Sequence, residues 1–147
     1  MYDIQNIKSL FVNDAVFHVF SMCMYMPTWE KFIMKANEYM SNEAVSILGY
    51  FIENKIIGVI VIIELNSKVF EIKGIAVDSE YQKKGIGKHL IQYVCDNFPV
   101  SFLTAETDED AIHFYRQCGF ESEQFTRMGK NGEYVRYKCV LRCIENI

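Results

Sequence analysis

Gly74-Ile75-Ala76-Val77-Asp78-Ser79-Glu80-Tyr81-Gln82-Lys83-Lys84-Gly85-Ile86-Gly87-Lys88 is the stretch that decides the fold. It opens in the last residues of a strand predicted over 69–77. It closes in an amphipathic run over 85–98, where Ile86, Leu90, Ile91, Val94 and Phe98 share one helical face. The stretch therefore reads as a strand-to-helix turn. A helix N-terminus presents backbone N–H groups without intrahelical partners and a partial positive charge. Glycine at 85 and 87 would let a phosphate approach those amides with no Cβ in the way. Lys83, Lys84 and Lys88 add charge of the same sign. Leu90 fills the last position of a GxGxxG pattern and no GxxxxGK[ST] is present, which disfavours a dinucleotide site and a P-loop. The plainer alternative is a glycine turn with solvated lysines.

The 147 residues fit one domain spanning the whole chain. Half of them are hydrophobic and 14% are aromatic, enough for a full core and against disorder. The net charge of −4 gives no footprint for nucleic acid. The N-terminus has no basic region ahead of an apolar run, and no stretch of about 18 apolar residues is present to span a membrane. The cysteines are odd in number and form no CxxC pair, so neither a closed disulfide set nor a zinc site is indicated. Cys95 and Cys118 fall on apolar helix stripes and read as buried thiols. These features together predict a cytoplasmic protein with no metal.

Working outward, the first 40 residues read as helical, with Ile4, Ile7, Leu10 and Phe11 at helical spacing. Pro27 separates two helices and opens the second over 28–40. The period then changes. Strands are predicted over 44–52, 56–65 and 69–77, joined by tight turns at Asn54-Lys55 and Asn66-Ser67 into an antiparallel meander. After the helix over 85–98, stopped at Pro99, a strand over 100–105 follows a strand–helix unit. It is expected to pair parallel to 69–77 by a right-handed crossover. Thr107 and Asp110 resemble a capping box opening a further helix that ends at Gly119. Two last strands over 120–128 and 134–141 join through Lys130-Asn131-Gly132. The order is ααβββαβαββ, a mixed α+β layer fold.

The quoted stretch resembles the coenzyme-A-binding motif of the GNAT acetyltransferases. The later Asp108-Glu109-Asp110-Ala111-Ile112-His113-Phe114-Tyr115-Arg116-Gln117-Cys118-Gly119-Phe120 resembles their second motif, with its alanine, tyrosine and closing Gly-Phe in register. The resemblance covers residues 44–141; the first 43 match only in being helical. It implies a mixed central sheet, mostly antiparallel, with a central parallel pair over 69–77 and 100–105 that splays apart for the pantetheine arm. It implies acetyl-CoA as co-substrate, with backbone at Ile75, Ala76 and Val77 pairing with that arm. The amides of Gln82, Lys83, Lys84, Gly85, Ile86, Gly87 and Lys88 would hold the pyrophosphate. It implies direct attack by a primary amine, from a small molecule or a peptide, with no enzyme-bound acyl group. Asp108 stands where the family often has asparagine, and its charge would weaken a polar contact to the cofactor, so it is not assigned.

Two side chains are candidates for the chemistry. Tyr115 would face the cofactor sulfur by family position, and a phenol with an ordinary pKa near 10 can donate to a departing thiolate. Its spacing with Ala111, Phe114 and Cys118 equally fits a core helical face. Glu71 lies six residues before Val77, where some family members place a general base; the alternative is a solvated strand carboxylate. Alternation puts it on one face with Val69, Lys73 and Ile75. Met22, Met24, Tyr25, Met26 and Trp29 cluster at the helix break, where GNAT folds border the acceptor, though core packing is the plainer account. His18, His89 and His113 lack metal-like spacing, and His113 is expected to be exposed. A non-catalytic acyl-CoA sensor and an interaction scaffold are the alternatives to an enzyme. The oligomeric state is left open, a homodimer included.

Overall fold

A computed structural model describes residues 1–143. Its seven strands, β1 (Tyr2–Asn6), β2 (Val45–Ile52), β3 (Lys55–Asn66), β4 (Val69–Val77), β5 (Phe102–Thr107), β6 (Glu121–Gly129) and β7 (Gly132–Arg142), form one sheet in the order β1-β2-β3-β4-β5-β7-β6. All neighbours are antiparallel except β4 and β5. The meander forms where Val and Ile dominate: β3 runs Ile-Ile-Gly-Val-Ile-Val-Ile-Ile, and its residues from Ile57 to Ile62 are almost all sealed from water. Helices α1 (Asp14–Phe20) and α2 (Trp29–Met40) pack on one face around Phe11, Phe20 and Phe32. Helices α3 (Ile86–Asn97) and α4 (Ile112–Gln117) pack on the other around Leu90, Val94 and Leu103.

Several expectations are corrected. The first residues are not helical, because Tyr2–Asn6 add a strand to the edge of β2 and Tyr2 stacks on Tyr50. The first α-helix starts at Asp14, capped by the Asn13 carboxamide oxygen, which accepts from the Ala15 and Val16 amides. Thr28, not Pro27, caps α2. No capping box joins Thr107 to Asp110. Thr107 ends β5, and the Asp108 carboxylate accepts from the Asp110 and Ala111 amides at 3.0 Å each. That bond gives the acidic residue at 108 a structural task. Cys95 is not a free thiol but is joined to Cys143 in a disulfide. The end of α4 matches its reading: Gly119 is left-handed, and the Phe120 amide reaches back to the Tyr115 carbonyl.

Two irregularities shape the centre of the sheet. Parallel pairing between β4 and β5 covers only Val69–Glu71 against Phe102–Thr104, so the strands diverge beyond that point. In β4 the register against β3 slips between Ile72 and Gly74, leaving Lys73 as the extra residue of a bulge. The bulge reverses the alternation. Phe70 and Ile72 point to the α3/α4 side, and so do Ile75 and Val77, while Ala76 packs on the α1/α2 side. Glu71 and Ile75 therefore lie on opposite faces, contrary to the simple alternation. The small residue Gly74 follows the bulge because Phe20 of α1 occupies the space of its side chain. A Cβ there would stand 2.9 Å from the Phe20 ring.

Candidate active site

The turn after β4 is built to leave amides open. Asp78, almost fully buried, accepts from the Glu80 amide and starts a short 3₁₀ turn over Ser79–Tyr81. The Gln82 side chain donates to the Val77 carbonyl at 2.9 Å and ties the turn back onto the strand. Positive φ at Lys83 (64°) and Gly85 (81°) then curls the chain into the first turn of α3. That first turn closes with the His89 amide donating to Gly85. Among the described residues, no backbone amide from Lys83 through Lys88 donates to another backbone carbonyl. A row of open N–H groups at a helix N-terminus suits an anion. A Cβ built on Gly85 would meet nothing within 4 Å, so the face above the turn is clear. Lys83, Lys84 and Lys88 are exposed beside it, with the Lys84 ammonium over the Tyr81 ring at 5.4 Å.

Gly87 is required for a different reason. A Cβ there would come 2.8 Å from the Phe114 ring, so α3 and α4 touch at this point. The contact sets α4, and α4 sets Tyr115. The Tyr115 ring is buried edge-on between Phe114 and Phe120, at 5.2 Å from each. Burial, followed by the nearby Cys139, Cys23, Cys118 and Asp108, pushes its phenol above the ordinary value, so it holds its proton at neutral pH. Among the described residues the hydroxyl has no hydrogen-bond partner, and it is not sealed from solvent. It is thus a protonated donor that no described residue engages.

Glu71 sits at the last paired position of β4 and β5, opposite Thr104, on the α1/α2 side. Its carboxylate pairs with Lys73 at 3.2 Å, and it lines an open cleft of about 530 Å³ with Thr104, Glu106 and Phe125. Glu106 in the same cleft is engaged by Arg127 and Arg136. Burial alone would raise the pKa of Glu106, but the two guanidiniums outweigh it and hold the carboxyl below the usual range. Glu71 is not among the groups that perturb Tyr115. The two candidates thus reach the diverging strands from opposite faces of the sheet.

The helix break is not core. Met22, Tyr25 and Met26 are exposed, Trp29 is exposed on one side while its ring packs on Phe17 and Phe32, and Met24 packs against the same apolar cluster. Within this break lies a residue the sequence reading passed over. The Cys23 thiol donates to the Phe20 carbonyl at 3.3 Å and rests against Gly74. Nothing in the local sequence marks it, since its position follows from how the break folds onto β4. Among the described residues, no three His, Cys, Asp or Glu side chains cluster as metal ligands, and no helix is long and apolar enough to cross a membrane.

The sequence model of the acetyltransferase (GNAT) family matches residues 13–120, and the chain belongs to that family. Solved structures share the fold across nearly the whole chain. The ribosomal-protein-S18-alanine N-acetyltransferase of Escherichia coli is 18% identical with a TM-score of 0.76, the match covering 99% of this chain and 96% of that one. An aminoglycoside 6′-N-acetyltransferase complexed with coenzyme A is 15% identical with a TM-score of 0.75, covering 99% of both chains. A GNAT family acetyltransferase from Elizabethkingia anophelis with acetyl-CoA bound is 18% identical with a TM-score of 0.70, covering 96% and 97%. No curated protein sequence matches significantly.

Proposed function

We propose that this chain transfers the acetyl group of acetyl-CoA to a primary amine by direct attack in a ternary complex. The observation that carries the reading is the open row of amides from Lys83 to Lys88 at the mouth of the β4/β5 divergence. Those amides and the three lysines suit a pyrophosphate. The edge of β4 beyond Glu71 has no β5 partner, so Ile75, Ala76 and Val77 offer backbone groups to an extended amide-bearing arm. Acetyl-CoA would supply an activated thioester.

The protein's part is then placement and two protons. An ammonium acceptor must lose a proton to become nucleophilic, and the Glu71 carboxylate takes it, through water, on the α1/α2 side. The Tyr115 hydroxyl, which holds its proton, gives it to the sulfur as it leaves and is reprotonated, through water, by the second proton that the nitrogen sheds as the amide forms. The acceptor is a small molecule or a peptide. The neighbours named above act on acceptors as different as a ribosomal protein alanine and an aminoglycoside, so fold alone does not choose among them.

The test couples calorimetric titration with acetyl-CoA to thiol release across a panel of amines. Binding together with amine-dependent thiol release supports the enzyme, and Tyr115→Phe is expected to cut turnover about 100-fold or more while leaving affinity nearly unchanged. Unchanged turnover would remove Tyr115 from the mechanism. Tight binding with no release from any amine would replace the enzyme by a sensor.

A further inference from the structure

We infer that Cys23 walls the acyl end of the opening between β4 and β5 and limits the length of acyl group the protein accepts. The inference rests on the cofactor reading above. With the phosphates at Lys83–Lys88, an arm lying along the free edge of β4 runs from Val77 back toward the point where β4 and β5 rejoin at Glu71 and Thr104. From Val77 to Gly74 a strand covers about 10 Å, and past Gly74 the Lys73 bulge and the Glu71–Thr104 pairing close the path. The reactive end therefore comes to rest beside Gly74 and Ile75.

Cys23 is the side chain that faces this place from the α1/α2 side. A Cβ on Gly74 would lie 3.4 Å from its sulfur, so the thiol stands over the space that a side chain at 74 would fill. The sulfur is near enough to Tyr115, which lies on the other face, to contribute to the rise of its phenol. Phe20, whose carbonyl accepts the thiol proton, fixes the rotamer. Cys23 is exposed at the edge of the opening. Burial raises its pKa to about 11, so it remains a neutral, weakly polar wall and no nucleophile at neutral pH. One further methylene on the acyl group would have to displace the sulfur or push Phe20 from its place against Gly74.

The experiment has two readouts on the whole chain. In the first, N-ethylmaleimide alkylation of Cys23 is followed by peptide mass spectrometry in mildly alkaline buffer, with and without saturating acetyl-CoA, after calorimetry has established binding. Cys23 is expected to be protected at least 10-fold. In the second, kcat/KM for propionyl-CoA relative to acetyl-CoA is measured with one acceptor amine. Cys23→Ala, which removes the sulfur, is expected to raise that ratio by roughly 10- to 100-fold, and Cys23→Ser, nearly isosteric, is expected to leave it unchanged. Protection together with a raised ratio supports the assignment. Bound acetyl-CoA with unprotected Cys23, or an unchanged ratio in Cys23→Ala, overturns the role of Cys23 and leaves the cofactor reading intact. No binding of acetyl-CoA overturns both.

Discussion

Substitutions at Gly85 separate charge from strain at the turn. The residue holds φ +81°, and a Cβ there contacts nothing. Any L-residue pays the left-handed penalty, about 1 kcal/mol, and no steric one. Gly85→Ala thus isolates the strain. Gly85→Glu adds a carboxylate to the open amides, and Gly85→Lys adds an ammonium of comparable length at equal strain. A unit charge about 6 Å from each of two phosphate charges contributes roughly 1.4 kcal/mol in total at an effective dielectric of 80 and about 5.5 at 20. The Glu variant should therefore bind acetyl-CoA about 10-fold to 10,000-fold more weakly than the Ala variant. The Lys variant should match or exceed Ala. Calorimetric titration in low salt gives the affinities, and urea unfolding checks that all three lose similar stability. A Glu variant that binds like Ala, or a Lys variant as weak as Glu, would show that no phosphate sits against this turn.

Other predictions address the supports of the site. Gly87→Ala should cost about 1–3 kcal/mol in urea unfolding, because the new methyl meets Phe114 at 2.8 Å, and turnover should fall further as Tyr115 shifts with α4. A neutral effect would mean the ring moves freely. Tyr39, buried in the α1/α2 cluster, has its phenol raised by burial from 10 to about 12. The unfolded phenol ionises first, so that contribution to stability is whole below pH 10 and is lost as pH rises to 12, by roughly 2–3 kcal/mol. Tyr39→Phe should remove this part of the alkaline loss in pH-resolved denaturation, and identical curves would refute it. The Cys95–Cys143 disulfide closes a separation of 48 residues, for which the chain-entropy model gives about 4 kcal/mol. Reductant should lower the urea midpoint of the wild type and leave Cys143→Ser unaffected. An unmoved wild-type midpoint would mean the link adds nothing.

What could be read in the sequence was set by local chemistry. Strand β4 was legible to the residue because the Asn66-Ser67 turn precedes it and the glycine turn into the next helix follows it. The strand-to-helix turn was legible because its glycines and lysines act through the backbone they themselves form. The parallel pairing of β4 and β5 followed from chain connectivity. Tyr2–Asn6 were misread because a short edge strand gains its structure from the neighbour it joins, which no local period reports. The Lys73 bulge was invisible because it exists only relative to β3, and it alone overturned the face assigned to Glu71 and Ile75. Cys23 was missed for the same reason, since only the folded break brings it to Gly74.

These missed features share a physical origin with the site. Regular pairing satisfies every amide and leaves no place for a ligand. Here pairing fails in three adjoining places: the bulge at Lys73, the divergence beyond Glu71, and the turn from Lys83 to Lys88. Each buried group left unpaired costs about 1–3 kcal/mol unless water or a ligand meets it. The surrounding sheet can carry that cost because β3 is sealed on both faces and both helical layers pack against it. On the proposed reading an acyl-CoA returns the missing partners, so its binding energy is drawn partly from groups that the free protein leaves to water. Ligand binding to the folded state alone adds about 2.7 kcal/mol of stability at one hundred times the dissociation constant. The gain should appear first in hydrogen exchange along β4 from Ile75 to Val77, the edge with no strand of its own. A uniform gain across the sheet, sparing that edge, would mean the ligand lies elsewhere.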